Sequence, residues 1–323
     1  MPATITHAYF AIDVFDVLPN SIKEKISSNR MKMFGQSMDA LMFYNLFNIK
    51  PGKDIRRLSK IFHSSKTKYY FINLINYIKD NNLYNDTDTC SYLCGLICHY
   101  VLDSTLHPFI FYKTGKFNKK DPNTYKYNNI HTFMETFIDN DMIKRREKLN
   151  PYKFNIGSFW FDNKPFSKSL NKAIDFSFEK TFSISNMAGI YYNSLKHMKF
   201  ALSIFRKDSF GIKKIMYKLV DTFTPKGVFR FEAISYHYNT SDIHNFLNSN
   251  HNLWRNPVCY SISSTESFLD LYLKSIKLAK EIIISSFSYF NDNSINLENV
   301  FTNRSYLTGL DCDLNKEMKY FEF

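Results

Sequence analysis

Residues 98–108 read CHYVLDSTLHP, and the spacing inside this stretch decides the fold class. His99, Asp103 and His107 stand four residues apart, so on an α-helix they share one face at steps of about 6 Å. Two neighbours can then grip one cation while the third reaches toward another. With 9 His and 30 acidic residues in the chain, such a series arises by chance only about a few hundredths of a time. Pro108 disfavours helical backbone at the residue before it, which predicts that the helix ends or kinks at His107 and re-aims that imidazole. Before the stripe, Cys90, Cys94 and Cys98 recur at helical spacing and read as small core residues rather than thiolate ligands.

Working outward, HTFME at 131–135 sets His131 and Glu135 one helical turn apart. The pair alone is a weak signal. Joined by His107 it becomes two histidines and one glutamate, a set that leaves a fourth tetrahedral position open, as in a catalytic zinc site. Upstream, GQSMDALMFYNL carries Asp39 in an apolar run, KIFHSSK ends an apolar stretch with His63, and ITHAYFAIDVF opens a helical pattern with His7. A carboxylate in such a run is costly unless it is paired or binds a cation. His197, His237, His244 and His251 form no comparable pattern.

The rest of the chain supports a helical frame. Its 323 residues are 44 % hydrophobic, ample for a sizeable core, and 9 Gly and 9 Pro are too few for turn-rich β architecture. Apolar periodicity predicts helices over 7–18, 66–79, 89–106, 125–147, 180–205, 209–223 and 265–287. An all-α, multi-helix domain over residues 1–287 is expected, followed by an Asn-rich, locally acidic C-terminal tail at 288–323. The N-terminus has no basic segment ahead of its apolar stretch, which Asp13 and Asp16 interrupt, so a cytoplasmic protein is expected. The apolar run between Asp88 and Asp103 is too short to span a bilayer.

The net charge of +12 suits a phosphate-bearing partner. Nine basic residues fall between Lys196 and Arg230 (Lys196, Lys199, Arg206, Lys207, Lys213, Lys214, Lys218, Lys226, Arg230), against Asp208 and Asp221. Interleaved with Phe200, Phe205, Phe210 and Phe223 they could rest on an anionic membrane surface or a nucleic-acid backbone. Phe210, Met216, Leu219 and Phe223 follow the helical period, however, and the favoured expectation is an aromatic side in the core with solvated lysines outside.

The order His7, Asp39, His63, His99 with Asp103, His107, then His131 with Glu135 resembles the bacterial zinc-dependent phospholipase C family, related in fold to single-strand nucleases. The resemblance spans about residues 1–285, with its specific motifs in 1–135. It implies an all-α domain holding up to three Zn2+ ions in a cleft between helices. One ion would take Asp39, His63, His99 and Asp103. Asp103 would bridge to a second, held by His7 and the N-terminal residue, while His107, His131 and Glu135 would take the third. Pro2 lies closer to His7 than the zinc-binding N-terminal residue of secreted members does, which predicts the weakest hold at that ion. The resemblance also implies that Asp39 accepts the proton of the attacking water.

The expected activity is phosphoester hydrolysis, with a phospholipid cleaved at its glycerol–phosphate bond ahead of other phosphoesters, and a peripheral place at the inner membrane face. A nuclease-like phosphodiesterase and a non-catalytic, zinc-stabilised binding protein are the alternatives; nucleic acid is the less favoured partner. Ala40 follows Asp39 where choline-selective members carry tyrosine, so the headgroup stays open. The chain has no His-Asp dipeptide and no HExxH, which argues against two other helical metallohydrolase patterns.

Overall fold

The computed structural model describes residues 4–46, 52–206, 208–237, 242, 244–292, 294–314 and 316–322. It is predominantly helical, with almost no strand among the described residues, in agreement with the all-α expectation. In chain order the helices are α1 (Thr4–Val17), α2 (Asn20–Lys23), α3 (Ser28–Phe34), α4 (Lys53–Ser64), α5 (Thr67–Asp80), α6 (Thr87–Thr114), α7 (Ile130–Glu147), α8 (Ile156–Trp160), α9 (Lys168–Phe182), α10 (Met187–Arg206), α11 (Ile212–Thr222), α12 (Phe268–Tyr289) and α13 (Leu297–Val300). The one ribbon among the described residues pairs Trp254–Arg255 with Ser263–Ser264.

Helix α6 is the axis. The Asp86 side chain caps its start by accepting from Thr89 N at 2.9 Å, and it runs 28 residues to Gly115, about 42 Å. It is buried on nearly every side because α1, α3, α7, α9 and α12 all pack on it. One crossing is very close. A Cβ added at Gly95 would fall 2.5 Å from Phe34 Cβ and 2.8 Å from the Met31 carbonyl, so only glycine lets α3 lie this near.

Of the end or kink expected at His107, the end is corrected: α6 continues through Pro108 for a further turn and a half. Proline removes the partner of the Ser104 carbonyl. The C-terminal chain presses Gly309 against that carbonyl, with φ +66° and room for no Cβ, which would sit 2.6 Å from Ser104 O. Burial from outside the helix thus holds a conformation that the local sequence disfavours.

A second correction concerns 180–205. Ser183 and Asn186 take left-handed backbone (φ 59° and 58°) and split the segment into α9 and α10. The third correction is larger. Phe210, Met216, Leu219 and Phe223 are 91 %, 55 %, 62 % and 79 % exposed, so the apolar side of α11 faces outward. Its inward positions are taken by Tyr217, whose hydroxyl donates to the Phe205 carbonyl at 2.6 Å, and by buried Asp221, which accepts from the backbone N–H of Phe231 and Glu232. Arg206 is no solvated cation either: it is buried and bonds Asp139 at 2.9 Å and Tyr236 at 2.7 Å. Lys207 lies outside the described residues.

Residues beyond 288 pack against the helices. Phe301 stacks on Phe71 at 4.7 Å, Tyr306 is fully buried, and Glu322 pairs with Lys113 at 2.7 Å. No helix among the described residues is long and apolar enough to cross a membrane. Cys90, Cys94 and Cys98 are buried on α6, and burial pushes the Cys90 thiol up to about 12, so it packs as a neutral group.

Candidate metal centre

All eight residues singled out in the sequence converge at the middle of α6. They form three groups whose ligand atoms lie within 4.8 Å of one another: His7, His99 and Asp103; Asp39, His63 and His99; His107, His131 and Glu135. Asp103 is the common member by distance. Its Oδ1 is 3.2 Å from His7 Nε2, and its Oδ2 is 3.1 Å from His99 Nε2, 3.7 Å from His63 Nε2 and 3.6 Å from His107 Nδ1.

Four elements deliver the remaining groups. Helix α1 begins where Asp139 of α7 accepts from both Thr6 N and Thr6 Oγ1 at 2.9 Å, which aims His7 inward; the Arg206 guanidinium on Asp139 balances that buried charge. Asp39 lies on a 3-10 turn, Ser37–Phe43, and His63 on the last turn of α4, with Asp39 Oδ1 3.2 Å from His63 Nε2. His131 and Glu135 fall on the first two turns of α7, with Nε2 and Oε1 3.1 Å apart.

The orientation of the imidazoles is the informative part. His99 Nδ1 donates to the Gly35 carbonyl and His107 Nδ1 to the Tyr306 carbonyl, both at 2.9 Å. His63 Nδ1 donates to the Ser59 carbonyl of its own helix, and His131 Nδ1 is 3.4 Å from Thr114 Oγ1. The outer nitrogen of each of these four rings is thus taken up by a neighbouring oxygen and Nε2 is the atom turned inward, the orientation that second-layer acceptors impose on metal-binding histidines once the inner proton is displaced. His63 Nε2 and His99 Nε2 face each other at 3.2 Å. Two lone pairs so placed repel unless a proton or a cation lies between them.

The spacing fits zinc. Ligands about 2.1 Å from a tetrahedral ion stand about 3.4 Å from one another, and the contacts above run from 3.1 to 3.7 Å. Buried Asp103 Oδ2 and His7 Nδ1 form no hydrogen bond among the described residues, which leaves acceptor capacity for a cation. The charges agree as well. Burial pushes the Asp39 carboxyl up, but the hydrogen bond and charge of His63 overcome it and hold the group down to about 2. At Asp103 burial likewise opposes ionisation, yet His107, His99 and His7 keep the carboxyl well below its usual range. His107 is carried up to about 9, burial being outweighed by Asp103 and then Glu135, so a cation bound there must displace a proton.

A cleft of about 790 Å³ opens onto this cluster. Asp39, His63, His107 and His131 line it, whereas His7, His99, Asp103 and Glu135 lie behind them. Its walls include Phe111, Phe117 and Phe229, with Lys60 and Lys116 on the exposed side. Pro2 lies outside the described residues. His237 instead pairs with Asp208 at 3.0 Å and stacks on Tyr152, and no metal group among the described residues includes it or the other late histidines.

Sequence reasoning did not identify the outer layer. The carbonyls of Gly35, Ser59 and Tyr306 have no side-chain signature, and Tyr306 comes from a stretch whose composition suggested an appended tail. Its ring lies 4.9 Å from that of His63, and its N–H donates to the His63 carbonyl. The glycine at 309, forced by contact with Ser104, was the available hint.

No curated protein and no solved structure matches the chain. The family model for zinc-dependent phospholipase C matches residues 6–175, more than half of the chain, and this match takes in every one of the eight clustered residues. With the all-α fold and the three ligand groups set around Asp103, it follows that the chain belongs to the zinc-dependent phospholipase C family.

Proposed function

We propose that this protein hydrolyses the glycerol–phosphate bond of a phospholipid, and that three zinc ions occupy the cluster. The supporting observation is the meeting of three ligand groups behind one cleft, two of them sharing His99, with the buried Asp103 carboxylate within 3.7 Å of a histidine of each. One ion would be held by Asp39, His63, His99 and Asp103, a second by Asp103 and His7 with the N-terminal residue, and a third by His107, His131 and Glu135. Zinc supplies a nucleophile at neutral pH, by lowering the pKa of water, and neutralises phosphate charge.

The remaining work falls to the chain. Asp39 is the cleft-facing carboxylate; ionised and oriented by His63, it is our choice to accept the proton of the attacking water. Phe111, Phe117 and Phe229 offer apolar walls to the glycerol and acyl portion, and Lys60 and Lys116 offer charge to the headgroup phosphate. Anionic lipids concentrate on the cytoplasmic leaflet, and the net charge of +12 supports our assignment of the protein to the inner membrane face.

Metal analysis and a substrate panel on one preparation test this reading. About two to three zinc ions per chain, with chelator-sensitive release of phosphorylated headgroup and diacylglycerol from vesicles, is the expected result. Cleavage of single-stranded oligonucleotides with vesicles intact would replace the phospholipase by a nuclease of the same metal chemistry. Inactivity toward both at full zinc occupancy would leave zinc a structural role.

A further inference from the structure

Helix α11 is amphipathic with its apolar face turned away from the protein. Ile212, Ile215, Met216, Leu219 and Phe223 stand at helical spacing on one stripe and are 55–79 % exposed, and Phe210 just before them is 91 % exposed. A soluble monomer rarely leaves so continuous a patch open. Its borders are basic: Lys213, Lys214 and Lys218 flank the stripe, and Lys226 and Arg230 continue along the chain. The only carboxylates between 208 and 230 are Asp208 and Asp221, and neither is exposed. Asp221 is buried against backbone N–H groups, and Asp208 is buried with Oδ1 and Oδ2 accepting from Lys213 N at 3.1 Å and Lys214 N at 2.9 Å. The strip also runs into the site, because Phe229, 46 % exposed, lines the metal cleft beside His107 and His131.

We propose that residues 210–230, centred on α11, are a docking surface that seats the protein on an anionic lipid bilayer with the mouth of the cleft against the membrane. The patch alone would suit any apolar partner; the lysine border and the absence of exposed acid select anionic headgroups, with the long stems snorkelling while the stripe enters the interface. The choice of a bilayer over a protein rests in addition on the phospholipase reading above. Lipid docked here would lie next to the cleft that is to cleave it.

The test is vesicle sedimentation, comparing phosphatidylcholine vesicles with ones carrying about 30 % phosphatidylserine. The wild type should bind the anionic vesicles and release them as salt rises. Ile215→Ser/Leu219→Ser/Phe223→Ser should weaken binding at least about tenfold, and Lys218→Glu/Lys226→Glu should weaken it on anionic vesicles in particular. Zinc content and thermal midpoint should stay those of the wild type, since every substituted side chain is exposed. A wild type that ignores anionic vesicles, or variants that bind as well as it does, would overturn the proposal. So would light scattering that finds a wild-type dimer converted to monomer by the serine variant, for then a second copy covers the stripe. Headgroup release is read on the same vesicles: a wild type that binds through α11 yet cleaves nothing keeps the docking surface and removes the phospholipase reading.

Discussion

Helices α6 and α11 both carry the helical apolar period, and each contains what its surroundings ought to forbid. In α6 the misplaced groups are polar: His99, Asp103 and His107 lie in a helix buried on nearly every side. In α11 they are apolar: Ile215, Leu219 and Phe223 face solvent. A buried ion set is tolerated when its members satisfy one another or a metal, and an exposed apolar stripe is tolerated when something else covers it. In both helices the departure from ordinary burial, rather than the period, singles out the residues for which a function is proposed.

Asp103 is the position at which α6 should be most sensitive to substitution. Asp103→Asn should remove metal from two ligand groups and lower phosphoester hydrolysis by at least about a thousandfold, because one oxygen faces His7 and the other His99 and His63. Glu135→Gln, whose oxygen faces only His131 and His107, should lose metal from one group and cost less activity. Metal analysis and initial rates on both variants decide it; equal, small effects would end the idea of a shared carboxylate.

Packing gives the next contrast. Leu93→Ala, on fully buried α6, should lower stability by about 2–5 kcal/mol, whereas the same change at Leu219, 62 % exposed on α11, should stay within about 0.5 kcal/mol. Denaturant midpoints on the two variants measure this. A large loss at Leu219 would mean that its stripe packs on something within the chain.

Gly309→Ala tests how the C-terminal chain supports α6. Its Cβ would meet the Ser104 carbonyl at 2.6 Å from a left-handed backbone, so the turn must shift and carry the Tyr306 carbonyl away from His107. Loss of an outer-layer acceptor should weaken zinc at His107, His131 and Glu135 by about tenfold and spare the other groups. Zinc titration against a competing chelator reads the effect, and unchanged affinity at all sites would detach this segment from the metal centre.

Much of the site was legible because its strongest pairs are local. On a helix the separations of His99 from Asp103 and of His131 from Glu135 follow from backbone geometry alone. His7, Asp39 and His63 were recognisable as polar residues in apolar company, but spacing could not join them; the order of motifs resembling a known family did. The Gly35, Ser59 and Tyr306 carbonyls were invisible, since every residue has one and only the chain path decides which faces an imidazole.

The sequence by itself determined that this chain is helical, where most of its helices run, and which side chains are chemically out of place. Those properties depend on contacts within a turn or two, and 3.6-residue geometry supplies them wherever the helix ends up. The tertiary structure alone decided that α6 continues past Pro108, that residues beyond 288 lie against the metal centre, and that α11 turns its apolar stripe outward. Each of these is a competition between neighbours far apart in the chain: Gly309 packs over the gap that proline leaves, and Tyr217 and Asp221 find better partners inside than the leucine and phenylalanine opposite them. A period specifies that a helix has two faces; which one is buried is settled by what it meets.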